Sequence, residues 1–73
     1  MQDKHVRERL ARSLREHREQ LGLTQRDLAD RSGVSSGTVS RIETEQLSPS
    51  LDTLIKLAEG LELAELRDVG GVG

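Results

Sequence analysis

A short segment of the sequence, residues 36–44, combines hydrogen-bonding side chains with very small ones. Residues three or four positions apart share a face of a helix, and one such face would carry Ser36, Gly37, Ser40 and Arg41. The serines have no neighbouring base and no nucleophile motif, so they are predicted to form hydrogen bonds rather than to attack a substrate. The chemistry indicated is non-covalent recognition by a small polar surface that carries one arginine.

The composition argues against several other kinds of site. The 73 residues include no cysteine, which excludes disulfides and cysteine-based zinc sites. His5 and His17 lack a partner at metal-ligand spacing and are expected at the surface. No apolar run approaches the roughly 18 residues that span a bilayer, and no signal-peptide pattern is present. The sequence therefore predicts a cytoplasmic protein that is not an enzyme, with no metal, no cofactor and no membrane association.

Charge is distributed unevenly along the chain. The formal net charge is -2, which argues against a generally basic nucleic-acid binder. Residues 1–20, however, carry six basic and four acidic side chains, residues 21–43 carry three of each, and residues 44–73 carry two basic and six acidic. A polyanionic partner would therefore meet the first two thirds of the chain, with the acidic third facing away.

The elements that position the polar face are predicted to be helices in one domain, residues 1–73. The 24 apolar residues are mostly leucine, valine and alanine, and none is aromatic, so the core should be aliphatic and helical. Val6, Leu10, Leu14 and Leu21 recur at helical spacing and predict a first helix over 6–21.

A capping pattern then occurs twice in quick succession. Thr24 is the expected N-cap of a helix over 25–32, with Asp27 completing a capping box. Gly33 can adopt a positive φ at low cost, and Ser35 is the expected cap of a third helix over 36–43. Two helices joined by about four residues that include a glycine form the helix-turn-helix arrangement, in which the second helix enters the DNA major groove.

The remaining sequence predicts two further helices. Residues 44–48 are expected to form a loop, and Pro49 prevents the third helix from continuing. Ser50 is the expected cap of a fourth helix over 51–60, whose apolar residues form a wide stripe. A short fifth helix is predicted over 62–69, and residues 70–73 are predicted to be a flexible tail or the start of a linker.

Four ordered fragments of the sequence resemble one known family. They are Leu21-Gly-Leu-Thr-Gln-x-x-Leu-Ala, Gly33-Val-Ser, Val39-Ser-Arg-Ile-Glu and Ser48-Pro-Ser-Leu. Together they resemble the Cro/cI-type (Xre) helix-turn-helix of phage repressors and bacterial regulators. The resemblance implies an all-α, compact, lambda-repressor-like bundle of about five short helices over residues 13–67, with the helix-turn-helix motif at about 24–43. It also implies a homodimer that binds double-stranded DNA.

The resemblance further implies roles for individual residues. Gln25 would contact a phosphate at the positive end of the second helix, Arg41 would read guanine with two parallel hydrogen bonds, and Thr44 would contact the DNA backbone. The implied DNA-binding residues are Gln25, Ser35, Ser36, Gly37, Ser40, Arg41 and Thr44. Arg18 and Glu43 would instead form a partly buried structural pair that fixes the first helix on the third.

Other charged residues are less clearly assigned. Most arginines of the first helix are expected to be solvated, although Arg9, Arg12 or Arg15 would reach a phosphate if that side faced the groove. Glu45 and Glu62 stand where the family commonly has glycine, and Gly37 stands where a side chain often reads a base. These departures predict fewer phosphate contacts and a shallow salt dependence of binding.

The sequence favours a sequence-specific transcriptional regulator, a repressor that acts by occupying an operator as a dimer. Two alternatives stay open. One is an antitoxin or modulator whose main partner is another protein, which the acidic last third and the apolar residues Leu61, Leu63, Leu66 and Val69 support. The other is the DNA-binding part of a longer regulator whose sensor domain is missing.

Overall fold

The computed structural model describes residues 3–62, and all regular structure within that range is helical. The helices are α1 (Asp3–Gln20), α2 (Gln25–Ser32), α3 (Ser36–Glu43) and α4 (Leu51–Gly60). The predicted all-α class is confirmed, with four helices in the described range instead of about five. The predicted fifth helix and the tail lie outside the described residues, except for Glu62, which is in a turn.

The three shorter helices have the predicted bounds because each begins at a side-chain cap. Thr24 Oγ1 accepts from the Asp27 amide and Asp27 Oδ2 accepts from the Thr24 amide, both at 2.9 Å. The hydroxyls of Ser35 and Ser50 accept from the amides three residues later at 3.1 and 3.2 Å. Each cap stabilises its helix by about 1 kcal/mol.

The predicted bounds of α1 were wrong by a few residues. The helix begins three residues before the predicted start, because its first residues carry no apolar side chain and the periodic pattern starts only at Val6. Its end is one residue earlier than predicted, since Gly22 takes a left-handed conformation with φ 71° and its amide donates to the Glu19 carbonyl.

The core lies where α2 packs against α3 and α4, and α1 packs against α3. Its most deeply buried side chains are Leu28, Val39, Ile42 and Leu57. Leu14 of α1 belongs to the same buried cluster, and Ala11 of that helix is also buried. None of the four helices in residues 3–62 combines the length and apolar character that a bilayer-spanning helix requires.

The contact between α2 and α4 depends on Gly60, which is buried. A Cβ atom at this position would lie 3.0 Å from Ser32 Cβ and 3.1 Å from Leu28 Cδ1, closer than packed carbon atoms normally approach. The absence of a side chain therefore sets how closely the two helices approach each other.

Two glutamates occupy the left-handed backbone conformation that normally favours glycine. Glu45 follows α3 with φ 66° and Glu62 follows α4 with φ 60°. After α3 the amide of Gln46 donates to the Arg41 carbonyl at 2.7 Å, the bond that closes a Schellman-type helix end. Both glutamates thus replace the glycine common in the family without changing the backbone conformation that glycine favours.

Gly60→Ala is expected to lower the free energy of unfolding, because the added methyl group would overlap Ser32 and Leu28. Overpacking of this kind costs about 1 to 3 kcal/mol, only part of which is offset by a gain of about 1 kcal/mol in helix propensity. Gly37→Ala is the matched control, since no described atom lies within 4 Å of its new methyl group. In thermal unfolding followed by circular dichroism, the melting temperature of Gly60→Ala should be lower than that of the wild type and that of Gly37→Ala should be higher. Equal melting temperatures for the two variants would contradict the tight contact at Gly60.

Glu45→Gly is expected to stabilise the domain by about 1 kcal/mol. A non-glycine residue costs about 1 to 2 kcal/mol in the left-handed conformation, and the greater freedom of glycine in the unfolded chain cancels part of the gain. Glu45→Ala removes the same carboxylate but keeps a Cβ atom, so it should stay within about 0.5 kcal/mol of the wild type. If the glycine and alanine variants unfold at the same temperature, the backbone strain is absent.

Candidate nucleic-acid interface

The outward face of α3 is polar and built from small side chains. Ser36, Gly37 and Arg41 are exposed and Ser40 is half-buried. On the inward face Val39 and Ile42 are buried in the core. The helix is therefore attached to the core by its apolar side, and most of its polar side faces solvent.

The turn between α2 and α3 sets the angle at which this face is presented. Gly33 adopts φ 77° and its amide donates to the Ala29 carbonyl at 2.9 Å. The Val34 amide then donates to Ser32 Oγ at 3.1 Å, and the Val34 side chain is buried. These bonds use the amides of Gly33 and Val34 and lead the chain into the cap at Ser35.

A buried ion pair connects α1 to the end of α3. Arg18 Nε donates to Glu43 Oε2 at 2.7 Å, and its Nη2 donates to Oε1 at 3.1 Å. Arg18 Nη1 also donates to the Leu23 carbonyl at 2.7 Å. The hydrogen bond and negative charge of Glu43 raise the pKa of Arg18, with desolvation acting in the opposite direction. The arginine stays charged and joins α1, α3 and the segment that leads into α2.

Gln25, the first residue of α2, also contacts this carboxylate. Its Nε2 donates to Glu43 Oε1 at 3.1 Å, and the side chain is partly buried. The sequence placed Gln25 toward a phosphate and did not reveal this contact, because the two residues lie on different helices. One hydrogen of the amide group is therefore used within the protein and one is left over.

The hydroxyl groups at the two ends of α3 are used differently from those along it. Ser35 Oγ donates to Thr38 Oγ1 at 2.8 Å, and Thr44 Oγ1 donates to the Ser40 carbonyl at 2.8 Å. Either hydroxyl would have to rotate before it could donate to a phosphate. Within residues 3–62 the hydroxyls of Ser36 and Ser40 form no side-chain hydrogen bond, so they are available to donate outward.

Arginines lie beside both ends of α3. Arg26 borders a cleft with Ser35 and Ser36 at the N-terminal end. Arg12 and Arg15 border a polar cleft with Glu45 near the C-terminal end. Arg26 was not identified from the sequence; its position one residue after Gln25, in the first turn of α2, was the available signal.

The first turn of α2 also carries a fixed negative charge. Hydrogen bonds from Thr24 lower the pKa of the Asp27 carboxyl group, and the positive charge of Arg31 acts in the same direction. An ionised carboxylate there opposes part of the attraction that the helix N-terminus has for anions. Side-chain donors such as Gln25 and Arg26 then become more important for any phosphate contact.

A capped helix, a glycine turn and a second helix with a polar outward face define a helix-turn-helix domain. The Helix-turn-helix family matches residues 14–67, and this chain belongs to the Cro/cI-type (Xre) helix-turn-helix family.

The chain is similar to three curated proteins of this kind. An uncharacterized HTH-type transcriptional regulator of Methanothermobacter thermautotrophicus is 41% identical over 56 residues, which are 77% of this chain and 81% of that protein. An uncharacterized HTH-type transcriptional regulator of Haemophilus influenzae is 39% identical over 78% of this chain and 58% of its own length. The HTH-type transcriptional regulator PuuR of Escherichia coli is 44% identical over 71% of this chain but only 29% of PuuR. No solved structure matches the chain.

Arg18→Ala is expected to destabilise the domain by about 3 to 5 kcal/mol, because it leaves the carboxylate of Glu43 buried without its cationic partner. Arg15→Ala is the matched control, since Arg15 is an exposed arginine of the same helix, and its effect should stay within about 0.5 kcal/mol. Urea unfolding measures both variants. Similar midpoints for the two would show that the pair contributes no more than a surface charge.

Proposed function

We propose that this chain is a sequence-specific transcriptional regulator that binds double-stranded DNA and represses by occupying an operator as a homodimer. The observation that carries the proposal is the polar face of α3, on which Ser36, Gly37 and Arg41 are exposed while Val39 and Ile42 hold the opposite side in the core. Membership of the family supports DNA binding and transcription regulation. The mechanism is steric and involves no chemical step.

Arg41 is the proposed reader of a base pair. It is exposed and has no ion-pair partner among residues 3–62, so its guanidinium is free to donate two parallel hydrogen bonds to guanine. Such a contact discriminates against another base by about 1 to 3 kcal/mol. The open space around Gly37 lets the α3 backbone approach the base edges closely, with Ser36 and Ser40 as short hydrogen-bonding neighbours.

The apolar surface on α1 and α4 supports the dimer. Val6 and Leu51 are 61% and 71% exposed, and Leu10 and Leu54 line an apolar groove of about 120 Å³ between the two helices. A second copy would cover this surface and present two α3 helices to DNA. Half-sites would then lie about 34 to 36 Å apart, one turn of the double helix.

The same apolar surface favours a second candidate function. In an antitoxin or modulator another protein would cover Val6 and Leu51, and operator binding would be secondary.

A third candidate keeps the DNA-binding role but makes the chain one part of a longer regulator. The match to PuuR, which covers 29% of that protein, supports it, and the α3 surface would serve the same purpose there.

Arg41→Ala is expected to relax the preference for particular base pairs, whereas Gln25→Ala should weaken binding to all sequences alike. The measurement is selection of bound sequences from random duplex DNA at one salt concentration, with wild type and both variants compared. At the affected base pair the preference should fall by roughly 5- to 150-fold.

Arg7→Ala is the control for loss of a positive charge, because Arg7 lies beside Pro49 and Leu54 and is proposed to make no base contact. It should retain the sequence preference of the wild type. If no duplex sequence is enriched by the wild-type protein, the regulator proposal fails and the protein-partner candidate gains support. An equal loss of preference in the two arginine variants would contradict the role of Arg41.

A further inference from the structure

We infer that Glu43 is a positioning residue for DNA contact, because its carboxylate fixes the orientation of the Gln25 amide. The amide nitrogen donates one hydrogen to Glu43 and keeps its second hydrogen for a DNA phosphate. The inference rests on the proposed DNA-binding function and adds to it a residue that itself touches no DNA.

The two ends of a glutamine amide have opposite hydrogen-bonding character. The oxygen only accepts, whereas the nitrogen carries two donors, and rotation about the last torsion exchanges them at little cost. A phosphate oxygen accepts and does not donate. A freely rotating Gln25 would therefore spend part of its time with the wrong atom in position, and the affinity would fall by the fraction of time lost.

The carboxylate of Glu43 removes this ambiguity. An ionised carboxylate only accepts hydrogen bonds, so the Gln25 oxygen is repelled from it and the nitrogen is held. The observed bond, 3.1 Å from Gln25 Nε2 to Glu43 Oε1, has this orientation. The nitrogen then bridges the buried carboxylate and the external phosphate.

Glu43 is itself held firmly enough to act in this way. Its side chain is 3% exposed and accepts two hydrogen bonds from Arg18, at 2.7 and 3.1 Å. Arg18 is held in turn by the Leu23 carbonyl, two residues before Gln25. The positive charge of Arg18 also offsets the repulsion between the carboxylate and an approaching phosphate. Glu43 lies on α3, two residues after Arg41. Its carboxylate therefore fixes the position of the Gln25 amide, which would contact a phosphate, relative to the helix that would read the bases.

A purely structural role for Glu43 predicts different behaviour. The carboxylate would then stabilise the domain through Arg18, and its loss would weaken DNA binding by the same factor whether or not Gln25 is present. A positioning role requires Gln25, because the effect passes through its amide. The difference is measurable as a coupling in a double-mutant cycle.

The cycle compares the wild type, Gln25→Ala, Glu43→Gln and the double variant. In Glu43→Gln the amide oxygen should take the place of Oε2, which accepts the shorter bond from Arg18 Nε. The new amide nitrogen then takes the place of Oε1, the atom that Gln25 contacts, and reverses the orientation of the Gln25 amide. Affinity for one duplex is measured by fluorescence anisotropy at fixed salt and at a temperature where circular dichroism shows all four proteins folded. Glu43→Gln should weaken binding by about three- to tenfold more when Gln25 is present than in the Gln25→Ala background.

An equal loss in both backgrounds, or no loss in either, would overturn the inference. If the wild type binds no duplex, the proposed function itself fails. If the wild type binds but the two substitutions weaken binding additively, only the inference about Glu43 fails.

A second measurement applies even if Glu43→Gln does not fold. In ¹⁵N-labelled wild type without DNA, one of the two side-chain amide hydrogens of Gln25, identified by their absence in Gln25→Ala, should exchange with water more slowly than those of the exposed Gln46. Equal exchange rates would show that the amide is free, which overturns the inference.

Discussion

The carboxylate of Glu43 is the group on which the arrangement of three helices depends. It is buried at the end of α3, where it receives Arg18 from α1 and Gln25 from α2. A buried carboxylate is tolerated only when it is fully paired, so this one group requires all three helices to be in place at once. The hydrophobic core supplies most of the burial, but aliphatic contacts alone would allow small rotations of α3. The ion pair restricts those rotations and thereby sets the direction of its polar face.

Local signals in the sequence were sufficient for much of the fold. The bounds of α2, α3 and α4 were predicted because Thr24, Ser35 and Ser50 cap them, and a cap acts within four residues of itself. The start of α1 was not predicted, since its first turn carries no apolar periodicity. The family resemblance paired Arg18 with Glu43, whereas the bond from Gln25 to the same carboxylate joins helices far apart in sequence and has no local signal.

The proposed interface shows a similar division. The spacing of residues alone separated the exposed face of α3 from Val39 and Ile42, because the buried side of a helix carries apolar residues three or four positions apart. It could not show that the hydroxyls of Ser35 and Thr44 donate within the protein, or that Arg26 lies beside the start of α3. These depend on side-chain direction and on the packing of α2 against α3, which no pattern in a single sequence encodes.

The close contact at Gly60 has a consequence for how such a domain changes over generations. A side chain at residue 60 would require Ser32 and Leu28 to shift, and would therefore disturb the packing of α2 against α4. On the outer face of α3, by contrast, Gly37 has open space around it. Substitutions on the outer face of α3 can therefore change the proposed contact surface without disturbing the packing of the helices, whereas a substitution at residue 60 cannot. The position that tolerates an added side chain thus lies on α3, and the position that does not lies on α4.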